Sequence, residues 1–182
     1  MLEWIIFLLG SLGFFILSLR SLLKPLSHGF PRFFAFEAIL GLVVLNSRSW
    51  FIRPLSLPQL VSWALLIDSV FLAIHAIWTL RRFGKTDRTI QDASRIAFEK
   101  TTHLVTIGPY QFIRHLMYAA LLCFGWGAFL KQVSLASGLL LILACLALFT
   151  TAYFEEQENL RIFGDEYSQY MRTTKRFIPL LF

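Results

Sequence analysis

Charge is what this sequence has least of. Only 15% of its 182 residues are charged, against 57% hydrophobic. A soluble globule of this size needs far more charge to cover its surface, which excludes an ordinary soluble domain and leaves room for one compact helical bundle. Cysteine is nearly missing. Cys123 and Cys145 both fall inside apolar runs, at a spacing that matches no metal or redox pattern, and they read as small buried hydrophobes. Acidic residues are outnumbered, 11 against 17 Lys and Arg. The surplus of +6 could suggest nucleic acid. The basic residues lie between apolar runs and not on one continuous face, so no nucleic-acid partner is expected and anionic lipid head groups explain them better. No internal repeat and no low-complexity tract is visible. The opening Met1-Leu2-Glu3-Trp4 lacks the basic stretch of a cleavable signal.

What is abundant is the long apolar run. A bilayer-spanning helix needs roughly 20 mainly apolar residues. Runs at 4–19, 33–47, 58–80, 109–130 and 132–154 approach or meet that length. The expectation is an all-α integral membrane protein with about five transmembrane helices and a C-terminal helical tail, cytoplasmic or interfacial. Residues 1–80 would hold three spans, and residues 81–182 the longest connection, two spans and the tail. Of the 17 Lys and Arg, only Arg48, Arg53 and Lys131 fall on one side of this threading. That asymmetry predicts the N-terminus outside and the C-terminus in the cytoplasm.

Local signals refine the second half. Gly108-Pro109 should end extended chain and begin the fourth helix, because Pro fits a first helical turn. Gly164 should close the helix that continues from the fifth run. Tyr167, Tyr170, Met171 and Thr174 then share one helical face. The ending Phe177-Ile178-Pro179-Leu180-Leu181-Phe182 is too apolar for a solvated terminus and should lie in the interface or fold back over the bundle.

Ionisable residues at membrane depth are costly and therefore candidates for function. A fourth helix starting at Pro109 would carry Arg114 and His115 more than one turn inside it, with Tyr118 on the face of Arg114. Glu155 and Glu156 emerge at the end of the fifth run, where two adjacent carboxylates need a cation or water between them. Asp68 and His75, seven residues apart in the third run, are expected to pair with each other or with Glu37 as a structural lock. Gly125-Trp126-Gly127 reads as a small-residue packing surface and not as a nucleotide loop.

In order along the chain come Leu104-Val105-Thr106-Ile107-Gly108-Pro109-Tyr110, Arg114-His115-x-x-Tyr118, Glu155-Glu156, Phe163-Gly164-Asp165-Glu166-Tyr167-x-x-Tyr170 and Arg176-Phe177-Ile178-Pro179. This series resembles the isoprenylcysteine carboxyl methyltransferase family, which is similar to the membrane phospholipid N-methyltransferases. The resemblance covers about residues 84–182. It implies a membrane-embedded pocket for S-adenosylmethionine, leaving S-adenosylhomocysteine as product, built by the last two spans, the loop before them and the tail. By position, the cofactor would contact Thr102, His103, Leu104, Val105, Gly108, Tyr110, His115, Leu116, Met117, Tyr118 and Glu155. Glu155 would pair with the methionine ammonium, and His115 or Arg114 with its carboxylate. Arg114 and Glu156 are the expected catalytic residues, Glu156 as base. No metal is implied. The acceptor would be a lipophilic molecule or lipid entering sideways from the bilayer.

Two positions depart from the family pattern. Leu116 stands where the family motif has Pro, which should straighten the helix start. Thr151 stands where the isoprenylcysteine enzymes carry an Arg for the substrate carboxylate, and a hydroxyl cannot clamp a carboxylate. An acceptor other than a prenylcysteine carboxylate is expected. The alternatives are a phospholipid or other lipid amine, or a non-catalytic membrane protein that retains the fold.

Overall fold

The computed structural model describes residues 1–84 and 103–179. Among them, regular structure is helical: α1 (Leu2–Leu22), α2 (Gly29–Leu45), α3 (Leu57–Phe83), α4 (Leu116–Phe129), α5 (Leu135–Phe163) and α6 (Asp165–Thr173), with short 3₁₀ turns at Ser47–Ser49 and Gly108–Gln111. The starts of α3 and α5 follow from sequence. Ser56 precedes α3, with a Pro in its first turn. Ser134 and Ser137 form a reciprocal capping box on α5, which satisfies backbone donors that have no partner within the helix.

Three helices, α1, α3 and α5, are long and apolar enough to cross a membrane, with mean hydropathies of 2.1, 2.0 and 2.3. Helix α1 shows the membrane pattern plainly. Its buried residues are Ser18 and Ser21, while Leu8, Leu9, Ile16 and Leu17 are exposed. In water this arrangement would be inside out; in lipid it costs nothing. Helices α2 and α4 have 17 and 14 residues. At 1.5 Å per residue they are about 25 and 21 Å long, short of the ~30 Å hydrocarbon layer.

The expected fourth helix differs from the observed one. Gly108 turns the chain at φ +61°, Pro109 sits in a 3₁₀ turn, and α4 begins only at Leu116. The intervening backbone pairs with the C-terminal tail instead. The Arg114 and His115 N–H groups donate to the Lys175 and Arg176 carbonyls at 3.0 and 3.1 Å, and the Lys175 N–H donates to the Phe112 carbonyl at 2.9 Å. Arg114 and His115 therefore precede the helix and do not lie one turn inside it. Leu116 occupies the first helical position, where an N–H has no acceptor within the helix, so the family's Pro could be lost there without altering the hydrogen bonding.

Contacts at the two ends order the helices up-down-up-down-up. At one end Arg48, after α2, pairs with Glu3 of α1 at 2.7 Å. There Asn46 donates to the Ala128 carbonyl of α4, and Lys131 donates to Gln59 of α3 at 3.1 Å while lying 3.4 Å from the centre of the Trp63 ring. At the other end His28, ahead of α2, meets Glu158 of α5, and Arg114, ahead of α4, meets Glu156 of α5. The main interfaces are α3 against α4 and α2 against α5, with α1 on α2. Small buried residues (Ala35, Ala38, Ala119, Ala144, Ala147 and Ala152) let α2, α4 and α5 approach closely.

Several mid-membrane expectations change. Asp68 and His75 do not pair: the Cys123 thiol is 3.6 Å from Asp68, and the His75 ring bonds the Phe71 carbonyl of its own helix at 2.8 Å. Glu37 joins neither, and its Oε1 is buried without a hydrogen-bond partner. Both cysteines are free and half-buried. Gly127 serves packing, since a Cβ there would stand 2.8 Å from Leu66 Cγ, and the Ser62 hydroxyl donates to its carbonyl at 2.7 Å. The apolar tail folds back, with Phe177 only 4% exposed; residues 180–182 lie outside the described residues.

Candidate functional site

Helix α5 is 29 residues long, so its last turns extend beyond the apolar run. Glu155, Asn159 and Phe163 are spaced four apart and share one face. Gly164, at φ +55°, reverses the chain into α6, a conformation that glycine adopts without a Cβ penalty. The reversal buries Tyr167 and Tyr170 against the bundle. The Tyr170 hydroxyl donates to the Tyr110 carbonyl at 2.6 Å. The chain then runs as a strap beside residues 112–115, joined by the parallel bridge of Ile113 with Lys175, and the Arg114 guanidinium donates to the Thr174 carbonyl at 2.7 Å.

These elements enclose a cavity of about 90 Å³. Its wall comes from Leu80 of α3, Leu104, Val105 and Tyr110 of the connection, the stretch Arg114 to Tyr118, Glu155, Asn159 and Phe163 of α5, and Tyr167 and Tyr170 of α6. The His115 and Tyr118 rings stack at 5.5 Å. Burial pushes the Tyr170 phenol up from its ordinary value, and pushes Tyr167 up despite an opposing hydrogen bond from Asn159. Both stay neutral aromatic donors.

Behind the wall lies Glu156, 1% exposed. Its Oε1 accepts from Arg114 Nε at 2.6 Å, from Arg176 Nε at 3.0 Å and from His115 Nε2 at 3.1 Å. Its Oε2 accepts from Arg176 Nη2 at 2.6 Å. A buried carboxylate survives only with such pairing. The bond to Glu156 also raises Arg176 above its ordinary pKa, against the lowering effect of burial. Glu155, one residue earlier, turns to the cavity, with Oε2 3.7 Å from His115 Nδ1. The two adjacent carboxylates thus part company: one is locked behind the wall and the other faces the pocket.

The ends of α4 and α5 meet, as the sequence suggested. Leu104, Val105, Tyr110, Arg114, His115, Leu116, Met117, Tyr118 and Glu155 all line the cavity. Gly108 supplies the turn and no wall. His103 is exposed and off the wall, and Thr102 lies outside the described residues. Leu80, Asn159, Phe163, Tyr167 and Tyr170 were not foreseen as wall residues. The four-residue spacing from Glu155 to Asn159 to Phe163 is the signal that could have found two of them. Arg176 stands in the last of the sequence motifs, but nothing local ties it to Glu156.

An up-and-down bundle of apolar helices with a tyrosine-rich pocket at one end defines a membrane protein with a candidate site at the end of its apolar helices. The model of the phospholipid methyltransferase family matches residues 57–166, more than half of the chain, and the protein belongs to that family. The chain is also similar to the nickel-cobalt-cadmium resistance protein NccN of Alcaligenes xylosoxydans xylosoxydans, at 28% identity over 137 aligned positions that cover 65% of this chain and 63% of that protein. The chain thus spans a little under two thirds of the length of this relative.

Proposed function

We propose that this protein is an S-adenosylmethionine-dependent methyltransferase that modifies a small lipophilic or lipid acceptor at the membrane. Family membership supports methyl transfer and, in general terms, this cofactor. The observation that carries the reading is the cavity in which the Glu155 carboxylate faces His115 among the rings of Tyr110, Tyr118, Tyr167 and Tyr170. These residues fit the cofactor chemically: an acid for its ammonium, electron-rich rings for its sulfonium and flat surfaces for its adenine.

In the bundle we read α2 and α4 as crossing the bilayer too, giving five spans with the pocket end in the cytoplasm. The end-to-end alternation of the helices and the clustering of Lys and Arg at the pocket end support this. The short α4 is lengthened toward the pocket by residues 112–115, whose backbone is paired with the strap and so tolerates a low-dielectric setting.

When bound, S-adenosylmethionine supplies an electrophilic methyl group on a positively charged sulfur. The chain's part is to hold and orient. Leu80, Val105, Leu116 and Met117 exclude water from one side of the pocket, which favours dispersal of charge in methyl transfer. Glu155 and the tyrosines fix the donor, so that alignment with an acceptor arriving from the lipid supplies much of the acceleration. Glu156 acts in this reading as an anchor and not as the general base expected from sequence, because taking a proton would break its bonds to two guanidiniums. Arg114 is likewise held by Glu156 and the Thr174 carbonyl. Thr151 is fully buried, with its hydroxyl bonded to the Ala147 carbonyl at 2.7 Å, which favours an acceptor without a carboxylate, such as a lipid amine.

Calorimetric titration of S-adenosylhomocysteine into the detergent-solubilised protein tests the reading. Binding to the wild type and a loss of at least tenfold in Glu155→Gln, with folding intact, are expected; no binding to the wild type would overturn it. A lipid comparison between cells with and without the protein, searching for mass differences of one methyl group, would identify the acceptor. The name of the NccN relative adds growth on nickel, cobalt and cadmium as a phenotype to score in the same strains.

A further inference from the structure

The pocket wall and the C-terminal strap are linked through a residue that belongs to neither. Glu156 is 1% exposed and does not line the cavity. Arg176 does not line it either, but His115 does. We infer that Arg176 is a positioning residue: from the strap it fixes the Glu156 carboxylate, which in turn fixes the ring of His115 so that its Nδ1 acts beside Glu155 as an acceptor for a ligand ammonium. The identity of the ligand rests on the function proposed above; the linkage between the three side chains does not.

Arg176 gives Nε to one oxygen of Glu156 and Nη2 to the other, at 3.0 and 2.6 Å. This two-point fork sets the plane of the carboxylate, as a single ammonium could not. Arg114 Nε adds a third bond at 2.6 Å. In that plane Oε1 lies 3.1 Å from His115 Nε2. A carboxylate only accepts, so Nε2 carries a proton. In the neutral ring Nδ1 is then the acceptor. In that neutral form it lies 3.7 Å from Glu155 Oε2, and two acceptors border the same gap in the wall. An ammonium, with three N–H donors, satisfies both, whereas a ligand carboxylate would face two acceptors and be repelled. This reverses the role expected for His115 as a carboxylate partner.

The strap does not depend on the Arg176 side chain for its place. Its backbone is held by the His115 N–H to the Arg176 carbonyl at 3.1 Å and by the Lys175 N–H to the Phe112 carbonyl at 2.9 Å. Phe177 packs on the Phe149 ring at 4.9 Å. Replacing Arg176 should therefore disturb orientation before fold.

The experiment compares full-length wild type, Arg176→Met and Arg176→Lys in detergent. The readouts are S-adenosylhomocysteine titration, melting temperature and ¹⁵N-histidine NMR, with His115→Gln identifying the His115 signals among the four histidines. In the wild type His115 should show a proton on Nε2. In Arg176→Met the tautomers should mix and affinity should fall at least tenfold. Arg176→Lys should recover part of both, because it restores the charge but only part of the fork. Wild-type affinity and an unchanged His115 tautomer in Arg176→Met would overturn the inference. So would equal losses in both variants that only follow a drop in melting temperature. Should Arg176→Met not fold, Arg176→Lys decides: an unshifted tautomer with unchanged affinity refutes the role. Should the wild type bind no S-adenosylhomocysteine, the proposed function fails, while the histidine spectra still judge the linkage.

Discussion

The Tyr170 hydroxyl donates to the backbone carbonyl of Tyr110 at 2.6 Å and joins α6 to the turn ahead of α4. Both residues are buried, at 7% and 6% exposure. Phenylalanine at 170 would keep the packing and leave that carbonyl without its donor. Tyr170→Phe should destabilise the protein by about 1–2 kcal/mol. Thermal denaturation in detergent checks this, and an unshifted transition would show that the bond does not hold the tail in place.

His28 is 1% exposed, ahead of α2. Its Nδ1 lies 2.6 Å from Glu158 Oε2 and its backbone N–H donates to Oε1 at 3.0 Å. Burial alone would lower the pKa of the ring; the bond to Glu158 and the nearby Glu155 charge overcome this and raise it above the ordinary 6.5. A raised histidine stabilises the fold fully below the unfolded value and loses that contribution as pH climbs through the folded one. The melting temperature should therefore fall as pH rises from about 6 toward 8, and His28→Asn should flatten the dependence. A profile equally steep in the variant would place its source elsewhere.

Two glycines of α4 separate packing from chance. A Cβ on Gly127 would stand 2.8 Å from Leu66 Cγ and 3.2 Å from the Ser62 carbonyl oxygen, a backbone atom. A Cβ on Gly125 would meet nothing nearer than 3.5 Å. Gly127→Ala should cost about 1–3 kcal/mol by forcing α3 and α4 apart, while Gly125→Ala should be neutral or stabilising through its better helix propensity. Unfolding titrations of both variants would show the ranking, and a reversal would mean that the α3–α4 contact is looser than described.

Thr151 is fully buried and its hydroxyl is spent on its own helix. The side chain at position 151 is itself no cation to receive an acceptor carboxylate. The protein should show no methyl transfer to a farnesylcysteine analogue under conditions where membrane lipid extract is methylated. Robust turnover of the analogue would restore the carboxylate acceptor.

The order of the helices was legible in the sequence because apolar runs and Gly164 are local signals that act over a few residues. The site was half legible. His115, Tyr118 and Glu155 stood out as polar groups beside apolar runs, whereas Asn159, four residues on along the face of Glu155, was not foreseen. The start of α4 was misread because Pro109 suits the first turn of either helix type. What chose the 3₁₀ turn was the distant strap at Lys175 and Arg176, which takes up the backbone N–H groups of Arg114 and His115. Asp68 and His75 looked like partners because they share a helical face, yet Asp68 meets Cys123 once α3 packs on α4, and His75 bonds the Phe71 carbonyl of its own helix.

Taken alone, the chain determined that it would be helical and apolar on the outside, and that acidic and basic residues would gather where the apolar runs end, since these follow from hydrophobic length and local capping. Only the tertiary structure decided which of two adjacent glutamates faces the pocket. Neighbouring residues on a helix point about 100° apart, so their fates depend on what packs against each side. Arg114 and Arg176 converge on Glu156 from segments 42 and 20 residues away, and no local pattern specifies that meeting.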